Sequence, residues 1–218
     1  MGYKTVKSQS ETELEVKHST FTGRCFPVTE EAQALAILEG LRKKYWDATH
    51  HCFAYSIGAN GATARYSDDG EPSGTAGQPI LEAIRHRELT NVLVVVTRYF
   101  GGILLGTGGL VRAYGASASE ALDAAGLVEM RECTLCALEI PYPLWGKLSG
   151  LIQGGGGIVE SIVYGAAVEA ELYLPSERVA WFTKEVTERT AGTVEVLELG
   201  ESIRAFPAGG ERSADQAR

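Results

Sequence analysis

In the first part of the chain, hydrophobic positions recur with the spacing of strands in some segments and of helices in others. Apolar side chains within residues 12–28 indicate one or two strands, and Thr29 followed by two glutamates is typical of a helix start. Residues 51–57 are expected to form another strand, with a hairpin partner at 62–66. The β-branched run at 91–97 predicts a central strand that is buried on both faces.

The last third of the chain follows a different pattern. Its order of strand, helix, strand, strand, helix and strand is that of a ferredoxin-like βαββαβ domain. We therefore predict an α+β protein of two domains, an α+β sandwich at residues 1–130 and the ferredoxin-like domain at 131–204, followed by a flexible tail at 205–218. The elements of the second domain are expected at residues 133–140, 143–153, 158–164, 167–174, 175–191 and 193–199.

Composition narrows the classes of function. The 218 residues carry a net charge of −8, which excludes a generally basic nucleic-acid coat but leaves room for one local basic site. No run of 18 apolar residues and no signal peptide is recognisable, so a cytoplasmic protein without a membrane span is expected. Cys133 and Cys136 form a lone CxxC on a predicted strand, which indicates packed thiols. We expect no metal and no other cofactor.

The sharpest candidate site is the junction between the central strand and the helix after it, called the glycine junction below (residues 98–109). Glycines let an anion approach the free amides of a helix start, and two arginines flank this loop. The spacing resembles a Walker motif, but the required lysine is absent. A tight turn is the alternative reason for the glycines. The candidate anion- or RNA-binding residues are Arg98, Gly101, Gly102, Gly106, Gly108, Gly109 and Arg112.

The second candidate is the acidic loop at residues 67–77. Three carboxylates within four positions can bind a divalent cation or act as acid and base, although the EF-hand spacing is not met. Alternatively, they cap the following helix or pair with an arginine such as Arg98. The residues singled out in this loop are Asp68, Asp69, Glu71, Gly74, Thr75 and Gly77.

Two adjacent histidines form the third candidate. His50 and His51 are expected to point to opposite faces of a strand, so they make a poor joint metal site. One of them can reach the acidic loop, and His51 is the residue we single out. A nucleophile pair with Cys52 would need a spatial proximity that a sequence does not show.

Three segments, at residues 50–52, 68–77 and 94–114, together resemble the YigZ/IMPACT family, with a close match to its bacterial YigZ branch. The resemblance implies an N-terminal domain similar to domain four of elongation factor G. It also implies a C-terminal domain similar to that factor's last domain, and a link to translation. Eukaryotic members restrain a starvation kinase by competing for its activator through an additional N-terminal RWD domain. This sequence starts at the shared domain, so we do not transfer that mechanism.

Three hypotheses of function follow. The leading one is a binding or regulatory module that contacts RNA, a ribosome or a translation factor through the glycine junction. The second is a protein–protein interaction domain whose signature residues only build the fold, which predicts a buried network between the acidic loop and Arg98 without a cleft. The third is an enzyme acting on a small phosphorylated or peptide-like substrate, which predicts a cleft between the two loops. Catalysis is the least favoured of the three, and the sequence does not indicate an oligomeric state.

Overall fold

The computed structural model describes residues 2–208, which divide into two compact units. One unit is Tyr3–Glu129, and the other begins at Met130. No helix within residues 2–208 is long and apolar enough to cross a membrane. Helices and strands are both present in each unit, so the predicted α+β class is confirmed.

The strands of the N-terminal unit are β1 (Tyr3–Val6), β2 (Ser10–Val16), β3 (Ser19–Pro27), β4 (His50–Ile57), β5 (Thr63–Ser67) and β6 (Val92–Tyr99). Five of them form an antiparallel sheet in the order β2-β3-β6-β4-β5. Its helices are α1 (Glu31–Lys44), α2 (Gly77–His86) and α3 (Thr107–Ala125).

The central strand β6 is buried on both faces, as predicted from its β-branched run. Val94 and Val96 belong to the larger core, which α2 and α3 cover. Leu93 and Val95 belong to a smaller core on the other face, under α1. Because successive side chains of a strand point to opposite faces, the two faces of this sheet present separate sets of residues.

The C-terminal unit has the predicted βαββαβ order. The elements are β7 (Leu127–Ile140), α4 (Tyr142–Gly154), β8 (Ile158–Tyr164), β9 (Val168–Pro175), α5 (Val179–Thr190) and β10 (Leu197–Pro207). Strand β7 pairs with β1, β9 and β10, and β9 pairs with β8, which gives a five-stranded sheet. The two helices cover one face of this sheet and close its apolar core.

The last strand differs from the prediction. Strand β10 begins at Leu197 rather than at residue 193 and continues to Pro207, so the prediction of a flexible tail was wrong for residues 205–207. Cation–π contacts help to explain the extension, since the Arg131 guanidinium lies 5.5 Å from the Phe206 ring centre and that of Arg204 lies 4.0 Å from the Tyr173 ring centre. The remainder of the predicted tail, from residue 209 onwards, lies outside the described residues.

Candidate functional site

A buried ion pair joins the acidic loop to the strand before the glycine junction. Arg98 Nη1 donates to Glu71 Oε1 over 2.6 Å, and the Tyr114 hydroxyl donates to the same oxygen over 2.8 Å. The side chains of Arg98 and Glu71 are only 6% and 4% exposed. The sequence-based alternative, in which the acidic loop pairs with Arg98, therefore describes the observed geometry.

Arg98 is held on several sides. Its Nη2 donates to Ser19 Oγ over 3.3 Å, and its guanidinium lies 5.2 Å and 5.5 Å from the ring centres of Phe21 and Phe100. Because Glu71 matches its charge, Arg98 is not a free cation for a second anion, which was one role expected from the sequence. Its observed role is to hold the acidic loop against the sheet.

Asp68 caps the second helix. Its Oδ1 accepts the amide of Gly77 over 2.8 Å, and its Oδ2 accepts the amide of Gly74 over the same distance. Thr75 Oγ1 donates to the Pro72 carbonyl over 2.7 Å and closes the turn. The two bonds to Asp68 satisfy the amide of Gly74 in the loop and that of Gly77, the first residue of α2, so Asp68, Gly74, Thr75 and Gly77 shape this loop.

Asp69 ties the acidic loop to α1 and β4. Its Oδ1 accepts a hydrogen bond from Arg42 Nη2 over 2.8 Å, and its Oδ2 accepts the His51 amide over 2.7 Å. All three carboxylates of the loop are therefore engaged with protein donors. Among residues 2–208, no group of three or more His, Cys, Asp or Glu side chains is placed to hold a metal ion.

The two adjacent histidines have different surroundings. His51, the residue that the sequence analysis singled out, is buried toward α1, where its Nε2 lies 3.1 Å from the Tyr45 carbonyl and its Nδ1 lies 3.3 Å from Thr97 Oγ1. His50 instead meets the acidic loop, with its Nδ1 2.8 Å from the Asp69 carbonyl. Alternation along β4 predicted that only one ring could reach this loop, but periodicity alone could not tell which one.

His50 also turns a ring nitrogen toward Glu71. Its Nδ1 is hydrogen-bonded to the Asp69 carbonyl, and its Nε2 lies 3.8 Å from Glu71 Oε1. His50 is placed here by the sheet register, which pairs it with Arg98 across β4 and β6.

A pocket of about 430 Å³ opens where the acidic loop meets the glycine junction. Its floor is polar, and its walls are mainly apolar. At its rim, the side chains of Phe100 and Leu104 are 47% and 82% exposed, and neighbouring Ile103 is 45% exposed. The lining residues are Thr49, His50, Glu71, Pro72, Arg98, Phe100, Leu104, Leu105, Gly106, Thr107 and Leu110.

The helix α3 begins at this junction pocket without a side-chain cap. Gly106 is its N-cap residue, at φ +71°, a conformation that favours glycine. The first intrahelical bond of the turn runs from the Leu110 amide to the Gly106 carbonyl. The amides of Thr107, Gly108 and Gly109 precede it, where a helix start leaves its N–H groups without an i−4 carbonyl in the helix.

The remaining candidate residues of the glycine junction are Gly101, Gly102 and Arg112. Gly101 donates its amide to Ser19 Oγ over 3.1 Å, and Gly102 adopts φ +83°. Arg112 is exposed on the first turns of α3, and its Nη1 lies 3.7 Å from the point where a Cβ on Gly108 would stand. Arg112 is thus an exposed cation beside the start of α3.

The buried position of His51 predicts a pH dependence of stability. Desolvation lowers the pKa of its imidazole below 6.5, with the Tyr45 carbonyl and Asp69 acting in the opposite sense. Folding therefore favours the neutral ring, so the stabilisation is complete above about pH 6.5 and is lost as the pH falls through the lower folded-state pKa. We expect urea unfolding to show a smaller loss of stability between pH 7.5 and 5.5 in His51→Gln than in the wild type.

An exposed histidine, His86, provides the control for this pH experiment. His86→Gln should keep the pH dependence of the wild type, because replacing an exposed ring changes no buried group. An equal loss of stability on acidification in His51→Gln and in the wild type would contradict the assignment of this effect to His51.

Comparisons with known proteins match both units. The Impact N-terminal domain matches residues 17–122, and a domain of unknown function, DUF1949, matches residues 138–193. The IMPACT family member YvyE of Bacillus subtilis is 39% identical over 90% of this chain and 91% of its own length. YigZ of Escherichia coli is 34% identical over 86% of this chain and 93% of its own length. A crystal structure described as a hypothetical protein aligns with a TM-score of 0.58 at 32% identity, covering 92% of this chain and 98% of that one.

Proposed function

Because the chain belongs to the IMPACT family, we propose that its N-terminal unit is a translation-associated binding module that takes a nucleotide of single-stranded RNA into the junction pocket. The observation that carries the proposal is the pocket itself, since it joins the two signature loops and has an exposed aromatic rim. Ligand pockets are concave and mostly apolar, with a few convergent polar groups. The link to translation comes from the family resemblance.

The rim and floor of the pocket suit a base. The exposed face of Phe100 offers a stacking platform, which is how single-stranded RNA is commonly bound. On the floor, the His50 ring presents Nε2 beside Glu71 as a hydrogen-bonding group for a base edge or a ribose hydroxyl. Arg98 and Glu71 hold this floor in place, so the site is preformed rather than assembled on binding.

The start of α3 suits the phosphate of the same nucleotide. The amides of Thr107, Gly108 and Gly109 have no preceding helical turn whose carbonyls could accept from them. The dipole of a 19-residue helix also favours negative charge at this end. Arg112 adds a charge-assisted donor beside them. With few cations engaged, the salt dependence of binding should be shallow.

The two alternative hypotheses receive less support from the geometry. The buried Arg98–Glu71 pair is the network that a pure interaction domain predicts, but that hypothesis required it to lie away from any cleft. A cleft is what an enzyme predicts, yet Asp68 and Asp69 do not line it and are held by protein donors. A binding site without catalysis therefore explains the positions of more of these residues than the two alternatives do.

Substitutions at the rim should separate RNA binding from folding. We expect Phe100→Ala to weaken binding of a fluorescently labelled single-stranded RNA by about tenfold, because a stacked base is lost. Arg112→Ala should weaken binding across sequences and reduce the slope of log affinity against log salt by about 1. Fluorescence anisotropy at several salt concentrations measures both effects.

Two exposed residues outside the pocket provide matched controls for the binding experiment. Trp46 is an aromatic residue with 81% exposure, and Arg85 is an exposed arginine on α2. Trp46→Ala and Arg85→Ala should bind RNA as the wild type does. If all four variants bind equally, the junction pocket is not the RNA site.

A further inference from the structure

A second groove, of about 310 Å³, lies between the β2–β3 hairpin and the last turn of α1. Phe26 and Leu41 in its wall pack against the smaller core under α1, so this groove and the junction pocket lie on opposite faces of the sheet. The groove is named the Arg24 groove, after its one deeply buried cation among the described residues. The lining residues are Gln9, Ser10, Glu11, Arg24, Phe26, Leu41, Lys44 and Tyr45.

The Arg24 guanidinium is held in a fixed position. Its side chain is 6% exposed, its Nη1 donates to Thr97 Oγ1 over 3.0 Å, and its central carbon lies 4.1 Å from the centre of the Tyr45 ring. A planar guanidinium that is stacked and hydrogen-bonded in this way is preorganised for a planar anion. Within residues 2–208, its Nη2 makes no hydrogen bond, so this donor is left for a ligand.

The counter-ion of Arg24 is a surface carboxylate. Glu11 Oε2 accepts a hydrogen bond from Arg24 Nε over 2.7 Å, but the Glu11 side chain is 60% exposed. One partner is therefore buried and immobile, whereas the other stands largely in water and can leave without a desolvation penalty of its own. Exposed carboxylates gain little from such a pair, so an external carboxylate can compete for the same donors.

We propose that the Arg24 groove binds a small organic acid, and that Glu11 occupies the carboxylate position in its absence. The carboxylate of the ligand would accept from Nε and Nη2 of Arg24 as a bidentate pair. Its short apolar stem lies against Phe26 and Leu41, and Lys44 supplies a second cation at the rim.

Charge in the groove favours a carboxylate over a phosphate. The guanidinium carries one positive charge, and Glu11 stays nearby after displacement. The carbonyl end of α1 also lies at the groove, and the helix dipole there disfavours two negative charges on the one group that meets Arg24, as in a phosphate dianion. Glu11 itself is a carboxylate on a short methylene stem, so it shows which chemical group fits the donors.

Titration of the full chain with glutarate, followed by calorimetry so that every variant has the same readout, tests this proposal. If Glu11 fills the site about nine-tenths of the time, removing it should tighten glutarate binding about tenfold. We therefore expect Glu11→Ala to bind glutarate about tenfold more tightly than the wild type. Adding Arg24→Lys to Glu11→Ala should abolish binding, because lysine lacks the fork of donors.

Glu13→Ala is the matched control, since Glu13 is an exposed glutamate two positions along the same strand. It should bind glutarate as weakly as the wild type. The proposal is overturned if Glu11→Ala binds no more tightly than Glu13→Ala. It is also overturned if inorganic phosphate, or an acidic peptide, binds Glu11→Ala about tenfold more tightly than glutarate does. A single cooperative thermal unfolding transition of Glu11→Ala shows that the variant is folded.

Discussion

Replacing Glu71 with alanine is expected to lower the free energy of unfolding of the N-terminal unit by about 3–5 kcal/mol. The substitution leaves the Arg98 guanidinium buried at 6% exposure without its counter-ion, and it also removes the acceptor of the Tyr114 hydroxyl. Breaking one side of a buried ion pair costs more than the pair contributes, because the remaining charge stays out of water. Urea unfolding of the full chain measures this loss.

The control is an ion pair of the same chemistry on the surface. Glu39 pairs with Lys43 along α1, and both side chains are largely exposed. Glu39→Ala should leave the urea midpoint close to that of the wild type, since solvent already screens this pair. A second variant, Glu71→Leu with Arg98→Met, should recover part of the lost stability because no charge is then buried. If Glu71→Ala unfolds at the midpoint of Glu39→Ala, the ion pair does not hold the acidic loop.

Replacing Gly101 with alanine is expected to destabilise the N-terminal unit by about 3 kcal/mol, at the upper end of the cost of overpacking. A Cβ at this position would lie 2.0 Å from the backbone carbon of His18 and 2.4 Å from the Ser19 nitrogen. Backbone atoms cannot rotate away as a side chain can, so the glycine junction would have to move away from the β2–β3 turn. Thermal unfolding of the full chain measures this loss of stability.

Gly108→Ala is the control for the crowding at Gly101. Gly108 lies in the first turn of α3, and a Cβ there would approach only the end of the Arg112 side chain, at 3.7 Å. Alanine is the better helix former, so this variant should be as stable as the wild type or slightly more stable, by about 0.5–1 kcal/mol. Equal destabilisation by both substitutions would show that general loop disturbance, not the contact with His18, sets the cost.

Much of the fold could be predicted because apolar residues recur in its helices and strands with the spacing typical of each. The β-branched run that forms β6 has no polar face, so it could only be a strand with a helix layer on each side. The βαββαβ order followed from turns and apolar spacing in the same way. The length of β10 could not be predicted, because its last residues are held by rings and guanidinium groups from β7 and β9, not by an apolar period.

The candidate site could be predicted only as segments. The sequence offered Arg98 as one possible partner of the acidic loop. The strand register that pairs His50 with Arg98 is what brings Arg98 and this loop together. That register also assigns His50, not His51, to the pocket. Arg24 was missed altogether, because a single arginine on a strand is normally solvated. Its burial depends on Tyr45, 21 positions later at the end of α1.

The central claim is that the junction pocket is the RNA site, and an NMR titration of the full chain with single-stranded RNA tests it most directly. We expect the amide signals of Thr107, Gly108 and Gly109 to shift together with those of His50 and Phe100, because they surround one nucleotide. The shifts should saturate at the affinity measured by anisotropy and should need about tenfold more RNA in Phe100→Ala. RNA binding that leaves these five signals in place and shifts others would contradict the claim.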